Sequence, residues 1–236
     1  MRQIVLDTET TGLHPDQGHR VIEIGCLEMV NRRPTDRTFH VYINPEREID
    51  AEAIEVHGIT NAFLADKPNF AGILDEFIDF VRDAELIAHN APFDVGFLDA
   101  ELARIPGAPG MAELMAGGQA IDTLAIAKEK RPGKRNSLDA LCRDYQIDAS
   151  ERTLHGALID AELLMRVYLA MTREQSTIFA SAESNTSGSR FERIQKLEVG
   201  DRVGNVRHVT DAELQNHQRL LDAMREKSTP IWDRLS

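Results

Sequence analysis

The sequence predicts an α/β protein built on a mixed sheet, and three features predict it. Apolar, alternating segments with short polar connections fill the first 43 residues, the signature of strands that pair as neighbours. Phe70, Ile73, Leu74, Phe77, Ile78 and Val81 then recur at helical offsets, so an amphipathic helix follows the strands. Beyond it, strand-like and helix-like stretches alternate to about residue 171, which is the pattern of helices layered on a sheet.

Taken in order, Ile4-Val5-Leu6 is an apolar run that ends in Asp7-Thr8-Glu9-Thr10-Thr11-Gly12. The second and third strands are expected over Val21 to Val30 and Arg37 to Ile43, with turns around Gly12, Pro15 and Gly18 and at Asn31-Arg32-Arg33-Pro34. Such short connections imply an antiparallel meander. Residues 44 to 68 hold Pro45, Gly58 and Pro68 and read as a loop with a short helix around Ala51 to Val56. After the helix over 70 to 81, Glu85 to Ala88 reads as a short buried strand and Phe93 to Arg104 as a helix. A fifth short strand lies at Ile121, and Asp122-Thr123 opens a helix toward Lys128. A basic loop, Lys128 to Arg135, precedes a helix carrying Leu138, Leu141, Cys142 and Tyr145, and Gly156 to Met171 forms the last helix of this unit.

The domain is expected to span residues 1–173. Residues 174–209, with the small polar run Ser181 to Ser189, read as a flexible linker. Thr210 and Glu213 match a capping box ahead of Leu214, Leu220, Leu221 and Met224. A lone helix of that length is marginal in water, so the segment 210–236 either gains order from a partner or frays.

With 42% hydrophobic and 28% charged residues, the composition is that of a soluble globular protein. No run approaches the roughly 20 apolar residues of a membrane span, and no secretory signal precedes Gln3. Cys26 and Cys142 each sit in an apolar pattern and read as buried thiols, which gives a cytoplasmic location. A net charge of -12 argues against nonspecific wrapping of nucleic acid. It leaves room for a nuclease whose acidic cleft is neutralised by cations.

The chemistry begins at Asp7 and Glu9. A period of two puts both carboxylates on one side of the chain as it leaves the strand, where they repel one another unless a proton or cation intervenes. A divalent metal and a solvated acidic corner both fit the pair by itself. Asp94 stands just past a strand end, where α/β sheets bind ligands, although an acid there also suits the helix dipole. His155 and Asp160 are five apart, about 140° around a regular helix. Both face one site only if His155 lies in the loop before the helix, with Gly156 allowing an unusual backbone. A loop imidazole near a metal can take a proton from water. Glu52 and His57 fit a cleft or a solvated loop equally well, and so do Lys128, Lys130, Arg131, Lys134 and Arg135 as contacts to phosphates or as solvated charge.

Asp7-Thr8-Glu9-Thr10-Thr11-Gly12, His89-Asn90-Ala91-Pro92-Phe93-Asp94-Val95-Gly96-Phe97-Leu98 and His155-Gly156-Ala157-Leu158-Ile159-Asp160-Ala161 resemble, in order and spacing, the three motifs of the DEDDh 3′–5′ exonucleases. The resemblance spans about residues 2 to 172. Two more segments, Val56-His57-Gly58-Ile59 and Arg131 to Cys142, are similar to the bacterial proofreading branch of that family. It implies a ribonuclease H-like mixed five-stranded sheet flanked by helices, and removal of nucleotides from a DNA 3′ end.

The resemblance further implies two Mg²⁺ or Mn²⁺ ions about 4 Å apart. Asp7 would bridge them, with Glu9 and Asp160 on one, Asp94 on the second, and His155 as general base. Asp7, Glu9, Glu52, His57 and Asp160 become candidates for holding the terminal nucleotide. Oxygen-rich ligands suit such hard cations, and the absence of a cysteine or multi-histidine cluster argues against zinc. Gln175-Ser176-Thr177-Ile178-Phe179 resembles the peptides that dock on a bacterial sliding clamp, through Gln175, Ile178 and Phe179. Thr210 to Ser236 would bind a polymerase subunit, and the catalytic domain leaves room for a small accessory subunit. A DEDDh nuclease acting on RNA or short oligonucleotides shares every catalytic residue, and a clamp-to-polymerase scaffold with vestigial hydrolysis is the alternative of a different class.

Overall fold

The computed structural model describes residues 1–150 and 154–173, and in the tail positions 211, 215, 217–219, 221 and 222. Two compact units divide between residues 177 and 178. The first is the α/β unit.

Its sheet has five strands: β1 (Arg2–Thr10), β2 (Val21–Val30), β3 (Arg33–Tyr42), β4 (Glu85–Ala88) and β5 (Ile121–Asp122). Their order is β3-β2-β1-β4-β5. β1 and β3 run antiparallel to β2, while β4 runs parallel to β1 and β5 parallel to β4. The meander and the mixed sheet are therefore present, and β2 and β4 have the expected bounds.

β1 is longer than expected. It runs through Asp7, Thr8 and Glu9, which pair with Gly25, Ile24 and Glu23 of β2. Pairing with β4 stops at Val5, so among the described residues the last five of β1 have no strand on that side. β3 starts earlier than expected, at Arg33. Only Asn31 and Arg32 form the turn, both with positive φ (51° and 63°), as a two-residue primed hairpin requires. Pro34 is tolerated opposite Met29 because β3 is an edge strand.

The helices are α1 (Ala51–His57), α2 (Asn61–Leu64), α3 (Phe70–Val81), α4 (Ala91–Leu102), α5 (Met111–Leu114), α6 (Thr123–Lys130), α7 (Leu138–Asp144) and α8 (Ala157–Met171). The periodicity over 70–81 gives α3 without error. Short helices such as α2 and α5 carry too few apolar repeats to be read from sequence. α4 begins two residues before its expected start, because Pro92 suits a first turn; Asn90, just before it, is left-handed (φ 69°). α6 reaches Lys130, so Lys128 and Lys130 belong to its last turn and not to a loop.

Alternation along β1 sorts the core into two layers. Ile4 and Leu6 join Phe70, Phe77, Phe97 and Leu98 on the α3 and α4 side. Val5 joins Leu141, Leu164 and Val167 on the α7 and α8 side. By the same period of two, Asp7 and Glu9 share the α8 face with Val5. Cys26 and Cys142 are both buried, in separate layers of the core. Among the described residues no helix is long and apolar enough to cross a membrane.

In the second unit the described residues are helical, and Gln218 Nε2 donates to Asp222 Oδ1 at 3.2 Å, a helix-surface pair. The peptide at 175–179, the linker run and the capping pair Thr210 and Glu213 lie outside the described residues.

Candidate active site

A cleft of about 260 Å³ opens beside the end of β1 that extends past β4 and is lined by Asp7, Thr8, Glu9, His89, Phe93, Asp94, Ser137, Leu138, Asp139, His155 and Asp160. Four parts of the chain supply it. β1 gives Asp7 to Glu9, and the turn into α4 gives His89, Phe93 and Asp94. The start of α7 gives Ser137 to Asp139, and α8 with its approach gives His155 and Asp160. The five residues singled out as catalytic or metal-binding candidates thus line one cleft, although Asp7 and Asp160 are 153 positions apart in the chain.

Each is positioned by local structure. One ligand atom from each of Glu9, His155 and Asp160 lies within 4.8 Å of the others, with Glu9 and Asp160 buried. His155 precedes the helix, as the spacing of five demands, and its Nδ1 is 3.1 Å from Asp160 Oδ2. Its backbone N–H donates to the Val56 carbonyl at 3.3 Å, which ties the approach to α1. Gly156 does not supply an unusual backbone: it is extended (φ -157°), a conformation open to any residue. Asp160 is in the first turn of α8, not the second.

The glycine that matters is Gly25. A Cβ there would lie 2.3 Å from the Ala157 carbonyl carbon and the Leu158 nitrogen, so α8 starts directly on the backbone of β2, beside Asp7, the cross-strand partner of Gly25.

Asp94 is buried and accepts a hydrogen bond from the Thr8 hydroxyl at 2.7 Å. Burial pushes its carboxyl up to about 7, against the pull of Thr8, while the Asp122 carboxylate adds to the rise. Asp122 also holds the turn, accepting from the backbone N–H groups of Asn90 and Leu124. Such a carboxyl ionises readily only with a positive charge nearby.

Glu52 and His57 do not line the cleft. Glu52 is exposed in the first turn of α1. His57 is buried at the end of α1, its Nδ1 accepting from the Ile59 N–H at 3.0 Å. Burial lowers its pKa, and the neighbouring His155 adds to that lowering. Of the basic residues, Arg131 turns inward and pairs with Asp144, leaving Lys128, Lys130, Lys134 and Arg135 exposed.

Sequence reasoning missed Thr8, His89 and Glu23. Thr8 lies inside a motif dominated by its acids. His89 Nδ1 contacts Thr123 Oγ1 at 2.9 Å, a pairing of distant residues that no local pattern signals. Glu23 is 2% exposed, and its signal was an acid alternating with Gly25 on the face that a helix covers.

The donor set fits divalent cations. Carboxylates crowd with one imidazole at a partly open cleft, and among them Asp94 has a protonation state that a cation would reverse. Hard, oxygen-rich ligands of this kind suit hard divalent cations.

The mixed five-stranded sheet with helices on both faces and acids at the open end of β1 is a ribonuclease H-like nuclease architecture. A family model described as "Exonuclease" matches residues 4–168. The DNA polymerase III subunit epsilon of Escherichia coli (strain K12) is 47% identical over 237 residues, covering 98% of this chain and 97% of that one. The protein of the same name from Haemophilus influenzae (strain ATCC 51907 / DSM 11121 / KW20 / Rd) is 44% identical over 248 residues, covering 99% and 95%. Among solved structures, the nuclease domain of 3′hExo, described as a DEDDh family member bound to rAMP, superposes with a TM-score of 0.60 at 20% identity, covering 72% of this chain and 90% of that one. The chain belongs to the exonuclease family and, within it, to the DNA polymerase III subunit epsilon family.

Proposed function

We propose that this chain is a 3′–5′ exonuclease that hydrolyses phosphodiester bonds at DNA 3′ ends with two Mg²⁺ or Mn²⁺ ions, and that it proofreads for a replicative DNA polymerase. The observation that carries the reading is the meeting of Asp7, Glu9, Asp94, His155 and Asp160 in one cleft. Asp7, Glu9, Asp94 and Asp160 hold the cations. When bound, these neutralise charge on the attacking and leaving oxygens. His155, at the mouth of the cleft with 45% of its side chain exposed, takes a proton from the attacking water, and Asp160 orients its ring. Thr8 holds the Asp94 carboxyl toward the site. Glu52 and His57 lie outside the cleft lining on α1, which the His155 N–H ties to the approach of α8, and hold the terminal nucleotide from that side once it enters.

A mispaired end frays at lower cost, so a cleft that admits single strands selects it without reading bases. The relatives are named subunits of DNA polymerase III, and by that likeness residues 210–236 bind the polymerase subunit while Gln175, Ile178 and Phe179 dock on the sliding clamp. A cytoplasmic location accords with two cysteines that lie buried in separate layers of the core.

The test is Mg²⁺-dependent release of nucleotides from mismatched, matched and RNA 3′ ends. Fastest release from mismatched DNA is expected. Equal or faster release from RNA would favour an RNA nuclease, and no release from any substrate would leave the scaffold. Deleting 210–236 should abolish capture of the polymerase subunit, and retained capture refutes that part.

A further inference from the structure

We infer that Glu23 is a positioning residue for the metal site, acting through the start of α8. Glu23 takes no part in the chemistry above, yet it is a carboxylate buried to 2% exposure directly opposite Glu9 in the β1–β2 ladder. Opposite residues in such a ladder share a face, so Glu23 lies on the same side as Asp7 and Glu9.

Its partners explain its burial. Glu23 Oε2 accepts the backbone N–H of Ala157 at 3.2 Å, and Oε1 lies 2.7 Å from His40 Nε2. Tyr42 is the cross-strand neighbour of Glu23 on β3, and burial, with the Glu23 carboxylate beside it, raises the pKa of its hydroxyl. Ala157 is the first residue of α8, and its N–H has no acceptor within the helix. The residue before it, Gly156, has no side chain with which to cap the helix. The cap therefore comes from the sheet. With Gly25 two residues on, where only a hydrogen leaves room for the Ala157 backbone, β2 fixes α8 by one contact that admits it and one that holds it.

Ala157 stands two residues after His155 and three before Asp160. The Glu23 carboxylate thus sets the distance of both residues from Glu9, its own neighbour across the ladder. His40, 2.7 Å from Oε1, keeps the carboxylate turned so that Oε2 faces the helix. A buried partner that orients ligating groups in this way is worth about 10- to 100-fold in metal affinity. The inference rests on the two-metal reading.

Two variants separate geometry from charge. Glu23→Gln keeps an oxygen at the same reach and loses the charge. Glu23→Asp keeps the charge and draws the oxygen back by one methylene. Mn²⁺ binding followed by electron paramagnetic resonance, in the absence of DNA, is the primary readout, with thermal midpoints and kcat and KM on a single-stranded oligonucleotide beside it. The expected result is an Mn²⁺ affinity about 10-fold weaker in Glu23→Asp, with kcat lowered, KM unchanged and the midpoint near wild type. Glu23→Gln should stay close to wild type in all four. Wild-type affinity in Glu23→Asp, equal losses in both variants, or losses that merely track the midpoint would each overturn the inference. Failure of the wild-type protein to bind Mn²⁺ would instead sink the metal reading beneath it.

Discussion

At Asp94 burial and hydrogen bonding pull in opposite directions, and burial wins. Its folded carboxyl titrates at about 7 against an ordinary value of 3.8, so between those values the metal-free folded state keeps a proton that the unfolded chain has released. Stability must then fall as pH rises across that window. The thermal midpoint of metal-free protein should drop from acid toward neutral pH, and Asp94→Asn should flatten the drop; an identical slope in the variant would show that Asp94 is not its source. His155 belongs to the same scale. His155→Ala should lower kcat by roughly 10²- to 10⁴-fold, the usual range for loss of a general base, and should erase the acid limb of the pH–rate profile; full activity would remove it from the mechanism. These two residues were legible because a resemblance over three ordered motifs named them. Thr8 and Glu23 were not, since their roles depend on partners 86 and 134 positions away that no spacing rule connects.

Among the elements, β1 and α8 carry the site, and their contact is made through Gly25. Gly25→Ala would place a methyl against the backbone of Ala157 and Leu158, neither of which can swing aside as a side chain can. The helix start must lift, at a cost of about 1–3 kcal/mol for an overpacked position. His155 and Asp160 would move with it, so nuclease rate should fall further than the denaturation midpoint alone would suggest. A variant with both unchanged would mean that α8 does not rest on β2 there. The elements themselves were largely readable where apolar periodicity is long, as in β2 and α3. Ends were less so. β1 was expected to stop at Leu6 because its last residues are polar, yet they are held by pairing to β2, a tertiary cause invisible in local composition. Gly156 was singled out as the special glycine on grounds of position, whereas the close approach belongs to Gly25, across the sheet.

For the molecule as a whole, the charge of -12 would repel a DNA backbone unless cations are concentrated where the strand lies. Composition showed that deficit, and the run from Lys128 to Arg135 suggested where it is offset, but only the fold shows which of these cations face out. Arg131 is committed to Asp144. Lys128, Lys130, Lys134 and Arg135 are exposed; burial lowers the pKa of His89 at the cleft wall, and the charge of Lys128 adds slightly to that lowering. The segment leads directly into Ser137, Leu138 and Asp139, which line the cleft. If this stretch guides the single strand by its phosphates, binding must release counterions in proportion to the contacts made. For single strands each lost contact should reduce the slope of log KM against log salt by about 0.7. The double variant Lys134→Ala with Arg135→Ala should therefore lose about 1.4 from that slope, with kcat unchanged at saturating DNA. Arg33→Ala, on an exposed cation at the opposite end of β2 from the acids, should leave the slope as it was. An unchanged slope in the double variant would make the basic stretch a solvated surface, and the strand would then have to reach the acids by contacts within the cleft alone.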